Sequence, residues 1–182
     1  MASSDPIPAN SVAVNPYTSD DIVAILREHN WLVSDPTLEQ LAWCKRAAAL
    51  LGHQVEDKAA LAGLLQLIFG YDAGKILEST DAHAVLARRS ARDVIRHLAL
   101  LLLDPAPFTS DRFKEVVTQL KENLDVRSRD LFHPIRLALA GGVGEGELDL
   151  VILLLDDAAA LPFAVPVKSV RERILEFCAA LD

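Results

Sequence analysis

The stretch "TSDRFKEVVTQLKENL" at residues 109–124 constrains the fold most. Behind a cap at Thr109 or Ser110, Phe113, Val116, Val117, Leu120 and Leu124 recur at the spacing of one helix face. Other segments follow the same pattern. "TSDD" supplies a cap and first-turn acids ahead of Ile22, Ile25 and Leu26. Thr37 and Gln40 stand at capping-box positions before Leu41, Cys44, Ala48 and Leu51, with Gly52 as the stop. "VEDKAALAGLLQLIFGYDAG" has acids in its first turn and Gly70 near its end. Further helices are predicted from about Asp81 to Leu103, over "GEGELDLVILLLDD" and over "VKSVRERILEFCAALD". No segment alternates at period two and no repeat of fixed length occurs, so the spacing predicts an all-α fold. The Leu and Ala richness agrees with it, and 51% apolar content is enough for a sizeable core.

Residues 1–17, rich in Pro, Ser and Asn without periodicity, read as a loosely ordered tail. The two prolines of "DPAPF" cannot continue a helix and mark a boundary between a helical subdomain at 18–104 and a second at 108–182. Cys44 and Cys178 lie in apolar helical contexts without CxxC spacing, which fits buried free thiols. The start of the chain lacks the basic and apolar regions of a signal peptide, and the run "LALLLL" is far too short to span a bilayer. A cytoplasmic location and no membrane partner are the expectation.

Within "RDLFHPIRLALAGG" at residues 129–142, proline is tolerated at a first helical position because its missing donor costs nothing there. The expected element therefore starts at Pro134 with His133 as cap, runs for two turns or about 10 Å, and stops at Gly141 and Gly142. Ile135, Leu137, Ala138 and Leu139 make it apolar on nearly every side. Arg136 is the exception. A charge there must pair with a carboxylate such as Asp130, bond to helix-end carbonyls, or face a phosphate or base edge.

"LFHPIRLALAG" resembles the "LF-x-P-hydrophobic-R-hydrophobic-ALTG" segment near the C-terminus of bacterial glutamyl-tRNA synthetases, in their helical anticodon-binding region. The amphipathic helix and short basic link before it, and "RERILEFCAAL" after it, are similar to that family's arrangement. "LEQLAWCKRAAALLG" looks more loosely like the family's "R-x-x-TL-x-EL" helix. The resemblance implies a bundle of about seven to nine helices in two packed subdomains, binding tRNA(Glu), alone or in trans with a synthetase catalytic domain. Three departures stand out: Ala140 where Thr is usual, "GEGEL" where a Gly-Pro pair is expected, and a longer "DDAAALPFAVPVKS" link.

The 182 residues contain no HIGH-like or KMSKS-like signature, no GxGxxG and no P-loop, and so no means of adenylate formation. A noncatalytic, cofactor-free module is expected. His29, His53, His83, His97 and His133 are scattered, with no spacing that suits a metal or a catalytic dyad. The adjacent carboxylates of Asp156 and Asp157 read as solvated rather than catalytic.

A net charge of −8 opposes nucleic-acid binding, yet residues 84–136 are net +3 between flanks of −6 and −5. Within "ARRSARDVIRHLALL", Arg88, Arg92 and Arg96 are spaced to line one helix face with Arg89 beside them. Such a ladder suits phosphates or unpaired bases; alternatively it is a solvated face with an Arg89–Asp93 pair. Arg127, Arg129 and Arg136 form a second basic group, expected to share a surface with the first only if the subdomains fold over each other. Arg88, Arg89, Arg92, Arg96, Arg129 and Arg136 are the candidate RNA-binding residues. The alternative is a protein-interaction or assembly module on the same scaffold, favoured by the acidic flanks and the substituted motif.

Overall fold

A computed structural model describes residues 14–182. Among them eleven α-helices follow one another: α1 (Ser19–Glu28), α2 (Leu38–Leu51), α3 (Lys58–Phe69), α4 (Ala73–Leu77), α5 (Thr80–Leu86), α6 (Ala91–Leu101), α7 (Ser110–Leu124), α8 (Arg129–Ala140), α9 (Gly146–Leu153), α10 (Leu155–Ala159) and α11 (Val170–Leu181). One 3-10 turn, Gly52–Gln54, follows α2, and the described residues contain no strand. The fold is all-α, as the periodicity requires.

The caps predicted at the starts of α1, α2 and α7 are in place. The Thr37 backbone amide donates to Gln40 Oε1 at 2.9 Å, and Gln40 N donates to the Thr37 hydroxyl at 3.1 Å. Thr18 N donates to Asp21 at 2.7 Å, and Arg112 N donates to the Thr109 hydroxyl at 3.2 Å. Of the expected tail, residues 1–13 lie outside the described residues. At Asn15 the chain is already anchored: its amide donates to the Ala48 carbonyl at 2.8 Å.

Three helix boundaries differ from expectation. The helix expected from about Asp81 to Leu103 is two, α5 and α6, separated at residues 87–90. Ala82 and Val85 are buried on α5, and Ala91, Val94, Ile95 and Leu98 on α6. On one continuous helix these two sets would point in directions about half a turn apart, so the chain bends to bury both. "GEGELDLVILLLDD" likewise divides into α9 and α10 around Leu154. These divisions and the five-residue α4 raise the helix count above the expected range.

The third difference is α8. It begins at Arg129, not Pro134, so Pro134 sits inside it and His133 is not its cap. The amides of Leu131 and Phe132 both donate to the Ser128 carbonyl, at 3.1 and 2.9 Å, starting the helix earlier. Early initiation buries Leu131 and Pro134. Burying a leucine stabilises by about 1.5–3 kcal/mol, enough to offset most of the roughly 3 kcal/mol an interior proline costs.

Buried residues from α1 to α11 form a contiguous core across the Pro105–Pro107 link. At one end Phe69 stacks on Trp31 with ring centroids 4.8 Å apart, while Trp43 and Phe163 meet it edge-on. Trp43 Nε1 donates to the Leu154 carbonyl at 3.1 Å. Asp156 receives the amides of Phe108 at 3.2 Å and Val170 at 2.9 Å, tying the link and the start of α11 to α10. It is thus a bridge between segments rather than a solvated carboxylate; its neighbour Asp157 pairs with Arg46. Cys44 is buried and Cys178 partly so, both free; burial pushes the Cys44 thiol up to about 12. No helix among the described residues is long and apolar enough to cross a membrane.

Candidate nucleic-acid interface

The bend between α5 and α6 decides where the arginines go. Arg88 and Arg89 lie in the bend, and only Arg92 and Arg96 stand one turn apart on α6. The expected ladder of Arg88, Arg92 and Arg96 along one helix face is therefore not formed. Bending instead turns Arg88 toward α8. Its Nη1 lies 3.1 Å from His133 Nδ1, 3.4 Å from the Arg129 carbonyl and 3.7 Å from Asp130 Oδ1. Asp130 thus partners Arg88 rather than Arg136.

A groove of about 980 Å³ opens between the α5–α6 bend, the end of α7 and the start of α8. Arg88, Arg89 and Arg127 line it, together with Asp93, Asp125 and Asp130. Two arginines of the first basic group and one of the second therefore line one groove, interleaved with carboxylates. No Arg89–Asp93 pair forms within 4 Å among the described residues, because Arg89 precedes α6 and helical spacing does not hold between them. Arg89, Arg92, Arg127 and Arg129 are exposed. Arg96, also exposed, approaches Asp182 at 3.8 Å.

His133 lies beside Arg88. Its pKa is lowered below the ordinary imidazole value, first by burial and then by Arg88, Arg129 and Arg136. The neutral ring can accept the Arg88 donor at Nδ1; which nitrogen carries the proton follows from that bond.

Arg136 is only 9% exposed and points inward. Its Nε and Nη2 donate to the two carboxylate oxygens of Asp149, both at 2.9 Å, and its Nη1 donates to the Gly144 carbonyl at 3.1 Å. The Phe132 ring covers it at 4.9 Å. The hydrogen bonds to Asp149 hold its charge above an already high ordinary pKa, against the opposing cost of burial. Sequence reasoning missed Asp149, although a first-turn acid of α9 just beyond a glycine-rich turn was a usable signal.

A second inward arginine, Arg173, was not singled out at all. Fully buried on α11, it donates to the carbonyls of Leu67 and Ile68 at the end of α3, of Leu139 at the end of α8, and of Lys168. Its guanidinium lies 4.5 Å from the centroid of the Tyr71 ring. No group of three metal-ligating side chains occurs among the described residues.

Residues 16–157 match the model of the anticodon binding domain family. The chain is 28% identical over 124 residues to a glutamate-tRNA ligase of Geobacillus thermodenitrificans, covering 68% of this chain and 25% of that protein. It is 34% identical over 95 residues to glutamate-tRNA ligase 2 of Syntrophus aciditrophicus, covering 52% and 17%. It is 26% identical over 123 residues to a glutamate-tRNA ligase of Bacillus subtilis, covering 68% and 25%. The chain spans about a quarter of the length of the first curated relatives it matches. No solved structure gives a significant match.

Proposed function

Because the chain belongs to the anticodon binding domain family, we propose that it is a noncatalytic tRNA-binding module whose contact surface is built on the groove of Arg88, Arg89 and Arg127 together with the exposed Arg92, Arg96 and Arg129. The family match over residues 16–157 carries this reading, and the groove that brings Arg127 beside Arg88 and Arg89 supports it. Names of the relatives make tRNA(Glu) the first RNA to test. Any aminoacylation would be supplied by a synthetase catalytic domain outside these residues, in cis or in trans.

Purified protein titrated against labelled tRNA(Glu) at two salt concentrations tests this. Micromolar or tighter binding is expected, weakening as salt rises because each neutralised phosphate releases a counterion. Arg92→Ala is expected to weaken binding and lower the slope of log K against log salt by about 1. Absence of binding at low salt would sink the proposal.

A second reading, a protein-interaction module that has lost RNA binding, draws on the carboxylates of Asp93, Asp125 and Asp130 in the same groove. Those acids oppose phosphate and would suit a partner with a mixed-charge face. Failure to bind RNA together with stable association to a synthetase catalytic domain would favour it.

A further inference from the structure

We propose that the face formed by α6 and α11 side by side is where this chain pairs with a second copy of itself, about a two-fold axis lying in that face. The face is separate from the groove of Arg88, Arg89 and Arg127, and the proposal does not depend on RNA binding. Arg96 stands at the border of this face and the surface proposed for RNA.

The two helices run antiparallel. At one end Arg96 approaches Asp182 at 3.8 Å, and at the other Leu102 and Asp104 line a cavity of about 210 Å³ together with Val170 and Arg171. Spacings of four and three put Arg96, Leu100 and Leu103 on one strip at α6 and just beyond it; spacings of four, three and four put Arg171, Leu175, Cys178 and Asp182 on a strip of α11. The leucines between the two ends are bare: Leu100 is 65% exposed, Leu103 46% and Leu175 43%. They are three of the six large apolar side chains left exposed among the described residues. Gathered on adjacent helices, they make a patch of the kind that marks an interaction site.

Charge complementarity names the partner. Four exposed charges hold the corners of the patch. On the α6 side Arg96 precedes the leucines and Asp104 follows them; on the α11 side, running the other way, Arg171 stands beside Asp104 and Asp182 beside Arg96. The signs therefore alternate around the patch. A two-fold axis in its plane, whether along the helices or across them, carries each corner onto one of opposite sign and lays the apolar centre on itself. An RNA phosphate would meet two carboxylates here, and a different protein would have to repeat the same alternation, which a second copy carries by symmetry. Half of the face comes from α11, which lies beyond the residues 16–157 that match the family model.

Sedimentation equilibrium of the whole chain without RNA tests this, over about 5 to about 500 μM, since a dimer held by so small a patch assembles by mass action. A reducing agent excludes a disulfide through Cys178. The mean mass is expected to rise toward twice that of the monomer. Leu175→Glu is expected to raise the dissociation constant about tenfold or more, and Arg171→Glu about threefold or more, because on either axis its new charge meets a carboxylate. Both side chains are exposed, so helical ellipticity and the thermal midpoint should not move. Leu38→Glu, at a still barer leucine on α2, is expected to leave the dimer unchanged. A monomer at every concentration would overturn the proposal, including one that holds a different protein on this face. So would a dimer indifferent to Leu175→Glu, whose interface would lie elsewhere.

Discussion

Arg173 and Arg136 show two ways of keeping a charge inside a protein. Arg136 has a carboxylate at bidentate geometry, the strong form of charge pairing. Among the described residues no carboxylate is hydrogen-bonded to Arg173; its compensation comes from carbonyls in the last turns of α3 and α8, where helix dipoles place partial negative charge. Burial brings its pKa down to about 10, so it stays charged at neutral pH. Arg173→Met would relieve the burial of that charge but leave four carbonyls without this donor, at about 1–3 kcal/mol for each acceptor left unsatisfied. The expected net loss is about 3 kcal/mol, seen as a thermal midpoint roughly 6–12 °C lower by calorimetry. An unchanged midpoint would show that water or backbone movement replaces the guanidinium.

At the scale of an element, α8 is delimited by two residues with positive φ, Ser128 at 52° and Gly141 at 81°. The Gly141 amide donates to the carbonyls of Arg136 and Leu137 at 3.1 and 3.0 Å, closing the helix beside the inward arginine. A Cβ at Gly141 would lie 3.1 Å from Ile76 Cδ1 in a conformation that L side chains resist. Gly141→Ala is expected to cost about 1–2 kcal/mol, measured as a shift in the urea midpoint with unchanged slope. Gly141 was readable as a stop from the sequence, whereas the start of α8 was not, because the interior proline masked a helix that tertiary burial of Leu131 sustains. The division of α5 from α6 was partly legible: the apolar phase slips by about half a turn between Val85 and Ala91.

Across the whole molecule, the Pro105–Pro107 link does not interrupt burial. Asp156 joins Phe108 to Val170, Trp43 reaches Leu154, and Arg173 gathers the ends of α3 and α8 onto α11. Contacts of this kind between the two expected subdomains lead us to propose that they unfold together. Tryptophan fluorescence, which reports on Trp31 and Trp43 before the link, and far-UV ellipticity, which reports on all the helices, should give superimposable urea transitions. Two separated transitions would mean that the halves are energetically independent.

The all-α class, the cap at Thr37, the presence of caps within "TSDD" and at Thr109 or Ser110, the stops at Gly70 and Gly141, and the basic middle third were determined by the sequence alone. Each depends on residues within a turn or two of one another, or on summed charge. Which arginines meet the solvent was decided only by tertiary structure. Arg88 finds His133 across 45 residues, Arg173 finds Leu67 across 106, and Arg136 chooses Asp149 over the nearer Asp130. The physical reason is that a guanidinium pairs with whatever acceptor packing brings within about 3 Å, and packing places acceptors by the angles between helices. No local pattern records those angles.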